Sequence, residues 1–356
     1  MKKAEYEEKA MKNNSILNKA KYTENTDEWY TDYSIVETEL SHYTNQFYDK
    51  IVLCNCDDPY ESAFSKYFLK NFNVLKLKKL ICTSYKGSRI VERLSLTDAK
   101  KRKLNKKSAY VMIVEKMPFV DETVISDEKI IEFLNTNDVV RMLNGDGDFR
   151  SAECVEYLKE ADIIVTNPPF SKFIELFSLI VKHGKKFLLI GNQNAITYKE
   201  IFPYIKNGEA WIGYCFGDMK FKVPKDTKPR KTRYWVDETG QKWRSLGNAM
   251  WLTNLDNDRK HKELVLTASY DPEKHPHYDN YDAINVSRVV DIPMDYPGVM
   301  GVPLTYLKYH NDEQFEIIGE ANHGSDNEFD LFKPLIGGKE IFKRILIKNK
   351  KCVVTK

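Results

Sequence analysis

Strand-length apolar runs recur along this chain, separated by segments with helical spacing. That alternation restricts the fold to the α/β class, with a mixed, mostly parallel sheet covered by helices on both faces. Ile51 to Cys54 leads into Asn55-Cys56-Asp57-Asp58-Pro59, and the stretch from Glu61 to Phe72 then repeats Phe64, Tyr67, Phe68 and Phe72 at helical spacing. Lys79 to Thr83 predicts a second strand, and Ala161 to Thr166 (ADIIVT) predicts a central buried one followed by a helix over Lys172 to Val181. Phe187 to Ile190 repeats the pattern, with Tyr198 to Ile205 as its helix. Right-handed strand-helix-strand units of this kind hold ligands beyond the carboxyl ends of the strands, so the loops after strands are where chemistry is expected.

The 356 residues suffice for two domains or for one large α/β domain with insertions. No apolar run approaches the roughly 18 residues of a membrane span. Met1 to Lys21 is rich in Lys, Glu and Asn and lacks the apolar core of a secretory signal, so a soluble, cytoplasmic protein is expected. Six cysteines at 54, 56, 82, 154, 215 and 352 form no C-x-x-C pair and have no histidines at zinc spacing, which predicts free thiols and no metal site.

A net charge of +3 does not by itself mark a polyanion partner, because such partners call for a concentrated basic face. Two stretches concentrate charge. Lys86 to Lys107 is dense in Lys and Arg and reads as an insertion. Between Gly217 and Gly247, Phe221, Tyr234, Trp235 and Trp243 are interleaved with Lys228, Arg230, Lys231, Arg233, Arg244 and other cations, and a hairpin with Glu238-Thr239-Gly240-Gln241 at its turn is predicted.

Asn167-Pro168-Pro169-Phe170 follows the most apolar strand. Two prolines fix φ near −65° and remove two backbone donors, so the loop is stiff and its carbonyls can accept hydrogen bonds. Methylation of a planar amino group needs such acceptors, since the nitrogen lone pair of adenine's amino group is delocalised into the ring. The Asn167 side chain and the Pro168 carbonyl would hold the two amino protons and direct the lone pair toward a methyl donor, with Phe170 stacked on the base. The same tetrapeptide would also serve as a rigid turn in which Pro168 and Pro169 end the strand and Ser171 caps the next helix.

With its surroundings, this loop resembles the adenine-specific DNA methyltransferases, and among them the EcoRI-type modification enzymes. The resemblance takes in Thr26 to Thr31 (TDEWYT), Cys54 to Pro59 (CNCDDP), Gly145 to Ser151 (GDGDFRS), Ile196 to Glu200 (ITYKE), Trp251 to Leu255 (WLTNL) and Tyr278 to Asn285 (YDNYDAIN). Gly298 to Pro303 (GVMGVP) and Arg344 to Lys348 (RILIK) extend it close to the C-terminus. It implies a Rossmann-like S-adenosylmethionine-dependent methyltransferase fold with DNA-recognition insertions and C-terminal elements. The expected division is an N-terminal extension over 1–25, a catalytic core over 26–216 that contains the basic insertion 86–107, a DNA-contact insertion over 217–247, and the end of the core with recognition elements over 248–356.

The resemblance also implies a cofactor pocket for S-adenosylmethionine. Asn55, Asp57 and Asp58, directly after the first strand, would lie at the methionine end, with a carboxylate taking the ammonium group; alternatively Asp58-Pro59 is an ordinary strand-ending turn. The family's usual glycine-rich turn is absent there. Tyr30 and Thr31 would donate to the methionine carboxylate, while Asp148 would accept the amino group of the cofactor's adenine and Phe149 would pack on its ring. Asp146-Gly147-Asp148 lacks the further ligands of a calcium loop. No acidic residue follows the second strand for the ribose, where Cys82-Thr83-Ser84-Tyr85 stands.

Double-stranded DNA is the implied partner, with the target adenine flipped from the stack and phosphates held by Lys228, Arg230, Lys231, Arg233 and Arg244, with Trp235 stacking or wedging. GAATTC, methylated at the inner adenine, is the implied site, and a monomer is expected. An Asn-Pro-Pro-aromatic loop also serves RNA-adenine and protein-glutamine methylation, and a catalytically silent DNA-binding homologue is a further alternative. A nuclease is not supported, because no cluster of metal-binding carboxylates is visible.

Overall fold

The computed structural model describes residues 30–86, 108–120, 125–223, 227–322 and 333–353. The expected N-terminal extension, Trp29 and its preceding residues, and the basic insertion apart from Lys86 lie outside these residues. In chain order the first part comprises β1 (Tyr30–Thr31), α1 (Tyr33–Leu40), β2 (Ile51–Asn55), α2 (Ala63–Lys70), β3 (Lys79–Thr83), β4 (Tyr110–Val114), α3 (Asp127–Thr136), β5 (Val140–Met142), α4 (Ala152–Glu160), β6 (Ile163–Thr166), α5 (Phe173–Lys182) and β7 (Lys186–Asn192). It continues with α6 (Phe202–Lys206), β8 (Trp211–Phe216), β9 (Met219–Lys222), β10 (Tyr234–Val236), β11 (Lys242–Leu246) and β12 (Ala249–Thr253). The C-terminal part adds β13 (Ile284–Asn285), β14 (Val299–Val302), β15 (Phe315–Ala321), a ribbon of β16 (Leu335–Ile336) and β17 (Lys339–Glu340), and β18 (Arg344–Asn349).

A mixed α/β architecture results. Eight strands form the central sheet in the order β5-β4-β3-β2-β6-β7-β12-β8. Only its middle four are mutually parallel, β3 with β2, β2 with β6 and β6 with β7. The outer pairings are antiparallel, so the expectation of a mostly parallel sheet holds at the centre and not at the edges. Successive strand residues point to opposite faces, and they enter two separate apolar clusters. Leu53, Ile81, Val111, Ile164 and Leu189 join Leu158 of α4 and Phe177 of α5. Val52, Leu80, Met112, Val165 and Ile190 join Leu40 of α1, Phe68 of α2 and Leu134 of α3.

One local expectation changes. The helix expected over Tyr198 to Ile205 is confined to α6, preceded by a 3-10 turn over Gln193–Thr197. Pro203 sits in the first turn of α6, where its missing N–H costs nothing; a helix running through it from upstream would lose a hydrogen bond and meet a clash. The segment 217–247 lies between two strands of the central sheet. It is an excursion between β8 and β12, because β12 returns to pair with both β7 and β8.

The edge strand β8 is held by a buried acid. Glu39 in α1 is fully buried, and its carboxylate accepts from the backbone N–H groups of Tyr214 (2.7 Å) and Cys215 (2.6 Å) and from the Tyr43 hydroxyl (2.7 Å). Gly213 leaves room for it, since a Cβ there would come 2.4 Å from Glu39 Oε1. Burial pushes the carboxyl pKa up, against those hydrogen bonds. Glu39→Ala strands the donors and is expected to lower stability by about 3 kcal/mol in urea unfolding, with Glu39→Gln losing less. An alanine variant as stable as the parent would show that β8 does not depend on this acceptor.

The C-terminal strands form a second sheet in the order β13-β14-β18-β15. Its apolar residues Met300, Phe315, Ile345 and Ile347 belong to the same buried cluster as the α4 and α5 face of the central sheet, so the two sheets share one core. Lys343, directly before β18, donates to Thr197 Oγ1 (2.6 Å) and ties this part to the turn after β7.

Candidate active site

The chain runs from β2 to β3 on one side and later reaches β6 and β7 on the other, so the loops after β2 and β6 diverge between neighbouring strands. Such a switch point leaves a crevice at the carboxyl ends of the strands, where open α/β sheets bind ligands. Asn55 to Pro59 lines one side and Asn167 to Phe170 the other.

After β2, Cys56 adopts a left-handed conformation (φ 68°). A non-glycine residue there costs on the order of 1 kcal/mol, so the chain makes this tight turn without glycine. Asp58 Oδ1 accepts from the N–H groups of Tyr60 (2.8 Å) and Glu61 (3.1 Å), closing the turn into α2. Its carboxylate therefore shapes the loop, as the turn alternative anticipates. Asp57 is 5% exposed, with Oδ1 accepting from Ser62 Oγ and Oδ2 from Thr166 Oγ1, both at 2.6 Å. Burial is the main reason its pKa is pushed up to about 7. Both Asp57 oxygens are thus engaged inside the protein.

Thr166 ends β6, and the next residue is Asn167. Asn167 Nδ2 donates to Thr31 Oγ1 (3.3 Å), which orients the amide, and its Oδ1 is buried. Pro168 is buried, and the Pro169 carbonyl accepts from Lys172 N (2.8 Å), closing a short 3-10 turn into α5. Phe170 meets Phe221 edge to face, with ring centroids 6.4 Å apart. Phe221 belongs to β9, which pairs antiparallel with β1 so that Tyr30 faces Lys222 and Thr31 faces Phe221. The Asn167 to Phe170 loop therefore leans on a small sheet, β1-β9-β11-β10, three of whose strands come from the basic segment. Thr31, expected to meet the cofactor, is a partner of Asn167. Sequence reasoning missed that pairing, because Thr31 and Asn167 are 136 residues apart in the chain.

Gly145 to Ser151 lies against the end of β3. Gly147 has φ +80°, and a Cβ there would fall 2.1 Å from Ser84 O, so only glycine fits. Lys86 N donates to Asp146 O (2.8 Å), closing the same contact. The Asp148 carboxylate is held by Arg150, whose Nε donates to Oδ1 (2.8 Å), and this partner keeps its pKa below the usual carboxylate range. Phe149 is 4% exposed and packs in the apolar cluster with Leu53 and Ile81; it anchors the loop from below and does not offer an open ring face. Asn55 and Thr83 are register partners at the ends of β2 and β3. The Oδ1 of Asn55 and the Oγ1 of Thr83 are buried without a hydrogen-bond partner. Buried polar atoms ordinarily have partners, so these two mark a place for ligand donors. Sequence reasoning passed over Thr83 because it sought an acid there.

The basic hairpin forms as expected, β10 against β11, with its turn organised by Asp237. That carboxylate accepts from Thr239 Oγ1 (2.6 Å), Trp243 Nε1 (2.7 Å), and the N–H groups of Thr239 (2.9 Å) and Gln241 (3.0 Å), which hold its pKa down to about 2. Trp235 and Trp243 stack across the strands with their planes 4° apart. Lys228, Arg230 and Lys231 are exposed, as a phosphate-facing surface requires. Two other expected DNA contacts differ. Arg233 pairs with Asp218 (2.7 Å), and Arg244 is 9% exposed, with its pKa lowered chiefly by burial. Among the described residues there is no group of three or more His, Cys, Asp or Glu able to hold a metal ion, and no helix long and apolar enough to cross a membrane.

The chain is 44% identical over 346 residues to the type II methyltransferase M.EcoRI of Escherichia coli, covering 95% of this chain and 97% of that protein. It is 34% identical over 308 residues to the type II methyltransferase M.MpnI of Mycoplasma pneumoniae, covering 85% and 84% of the two chains. No solved structure matches the chain significantly. The family model of the adenine-specific methyltransferase EcoRI matches residues 16–350, which takes in both sides of the crevice and the hairpin beside it, and the chain belongs to that family of adenine-specific methyltransferases.

Proposed function

We propose that the protein transfers the methyl group of S-adenosylmethionine to the N6 amino group of an adenine flipped out of duplex DNA, on a Rossmann-like methyltransferase core with helices on both faces of the sheet. The observation that carries this is the Asn167 amide, oriented by Thr31 at the switch-point crevice with an exposed basic hairpin beside it. Bound there, the cofactor supplies an electrophilic sulfonium methyl. Asn167 Oδ1 and the Pro168 carbonyl accept the two amino protons of the target and localise its lone pair, and Phe170 packs against the base. Tyr30, Asn55 and Asp58 lie at the methionine end of the pocket, and Thr83 and Asp148 at the adenosine end; the partnerless oxygens of Asn55 and Thr83 suit the amino and hydroxyl donors of such a ligand.

In this reading residues 26–216 with β12 make the core, 217–247 contacts DNA, and the remainder of 248–356 supplies recognition elements. In the same reading the enzyme acts as a monomer in the cytoplasm. The test is transfer of labelled methyl groups to duplex DNA, RNA and a glutamine-bearing protein, followed by sequencing of the modified positions. Label on adenine N6 in duplex DNA, at the inner adenine of GAATTC, is expected. Label in RNA or on an amide would replace this reading, and DNA binding without transfer would make the chain a silent homologue.

A further inference from the structure

We propose that Asp57 is a positioning residue for the catalytic loop, a buried carboxylate that locks the end of β6 to the turn after β2 and thereby sets the direction of Asn167. The proposal rests on the reading of Asn167 as the catalytic amide. The backbone ladder between β2 and β6 pairs Val52 with Ile163 and Leu53 with Ile164, and goes no further. Thr166 is laddered to Leu189 of β7 on its other side, but toward β2 only side-chain bonds hold it, its hydroxyl lying against both the Asn55 carbonyl and the Asp57 carboxylate. Asp57 is the member of that link that also reaches Asn167.

Its Oδ2 accepts from Thr166 Oγ1, its Oδ1 from Ser62 Oγ, and the backbone N–H of Asn167 also donates to it. Ser62 is the N-cap of α2, and the Asp57 N–H donates to Thr83 O at the end of β3 (2.9 Å). One residue thus joins β3, α2 and β6 directly beneath Asn167. Three donors occupy most of the acceptor sites of a carboxylate, and at 5% exposure little of it faces the crevice. A ligand ammonium would have to displace these bonds, whereas the loop gains from each of them. A misplacement of about 1 Å at a reacting group costs on the order of a hundredfold in rate.

The experiment uses the full chain, measuring single-turnover methyl transfer at saturating S-adenosylmethionine with duplex DNA bound, and separately the Kd for S-adenosylmethionine. Asp57→Asn and Thr166→Val are each expected to lower the transfer rate about 10- to 100-fold while leaving the cofactor Kd within about threefold. Thr166→Ser, which keeps the hydroxyl, should stay near the parent. The double variant should lose little more than the worse single one, because both remove the same bond. A cofactor Kd raised more than about tenfold by Asp57→Asn, with the rate at saturation unchanged, would make Asp57 a cofactor ligand and overturn the proposal. Multiplicative losses in the double variant, or a Thr166→Val protein as fast as the parent, would overturn it too. Should Asp57→Asn fail to fold, the Thr166 pair decides alone. Asn167→Ala run alongside separates the two ideas: transfer by that variant would remove the catalytic loop itself, whatever Asp57 does.

Discussion

Asn167→Ala is expected to lower the rate of methyl transfer by about 10²- to 10³-fold, the loss typical when one fixed charge-stabilising group is removed from an active site. The cofactor Kd should stay within about threefold, because the substitution leaves Asn55, Thr83 and Asp148, the residues proposed for the cofactor, in place. Single-turnover transfer at saturating cofactor and DNA reads the first quantity, and direct binding reads the second. Thr31→Val should produce the same kind of change to a smaller degree, since it frees the amide to rotate without removing its oxygen. Full activity in Asn167→Ala would leave the loop as a rigid turn, the role that its two prolines can fill without any chemistry.

Replacing Lys228, Arg230 and Lys231 together with glutamine is expected to weaken DNA binding and to make its dependence on salt shallower. Each lost phosphate contact removes about 0.9 from the slope of log K against log salt, so the change reaches up to about 3 if all three side chains touch phosphate. Arg233 and Arg244 are left in place, because one is paired with Asp218 and the other is buried, and changing them would test the hairpin's fold together with its surface. Binding titrations over a range of salt concentrations measure the slope. An unchanged slope would move the phosphate surface elsewhere on the molecule.

The hairpin and the catalytic loop also clarify why sequence reading succeeds for some elements and not others. Lys79 to Thr83 appears as a strand with the expected bounds, and ADIIVT ends where its prolines begin. Apolar periodicity and proline act through the residues themselves and their near neighbours, so they can be read along the chain. Asp57 illustrates the opposite case. Its type and its place after a strand predict a ligand for a cation, but its role depends on Thr166 and Ser62, and the first of these reaches it only because β2 and β6 are adjacent in the sheet. Phe149 is likewise an aromatic beside an acid in sequence, and in the fold it is a core residue under Gly147.

By itself the sequence determined the alternation of strands and helices, the stiff Asn167-Pro168-Pro169-Phe170 loop and the hairpin turn, because each is carried by residues close together in the chain. Tertiary structure alone decided that β12 returns to close the central sheet, that the basic segment pairs with β1, and that Thr31 therefore orients Asn167. It also decided which cations face solvent and which are held inside. These outcomes depend on strands brought together from distant parts of the chain, and on burial, which no single stretch of residues can specify.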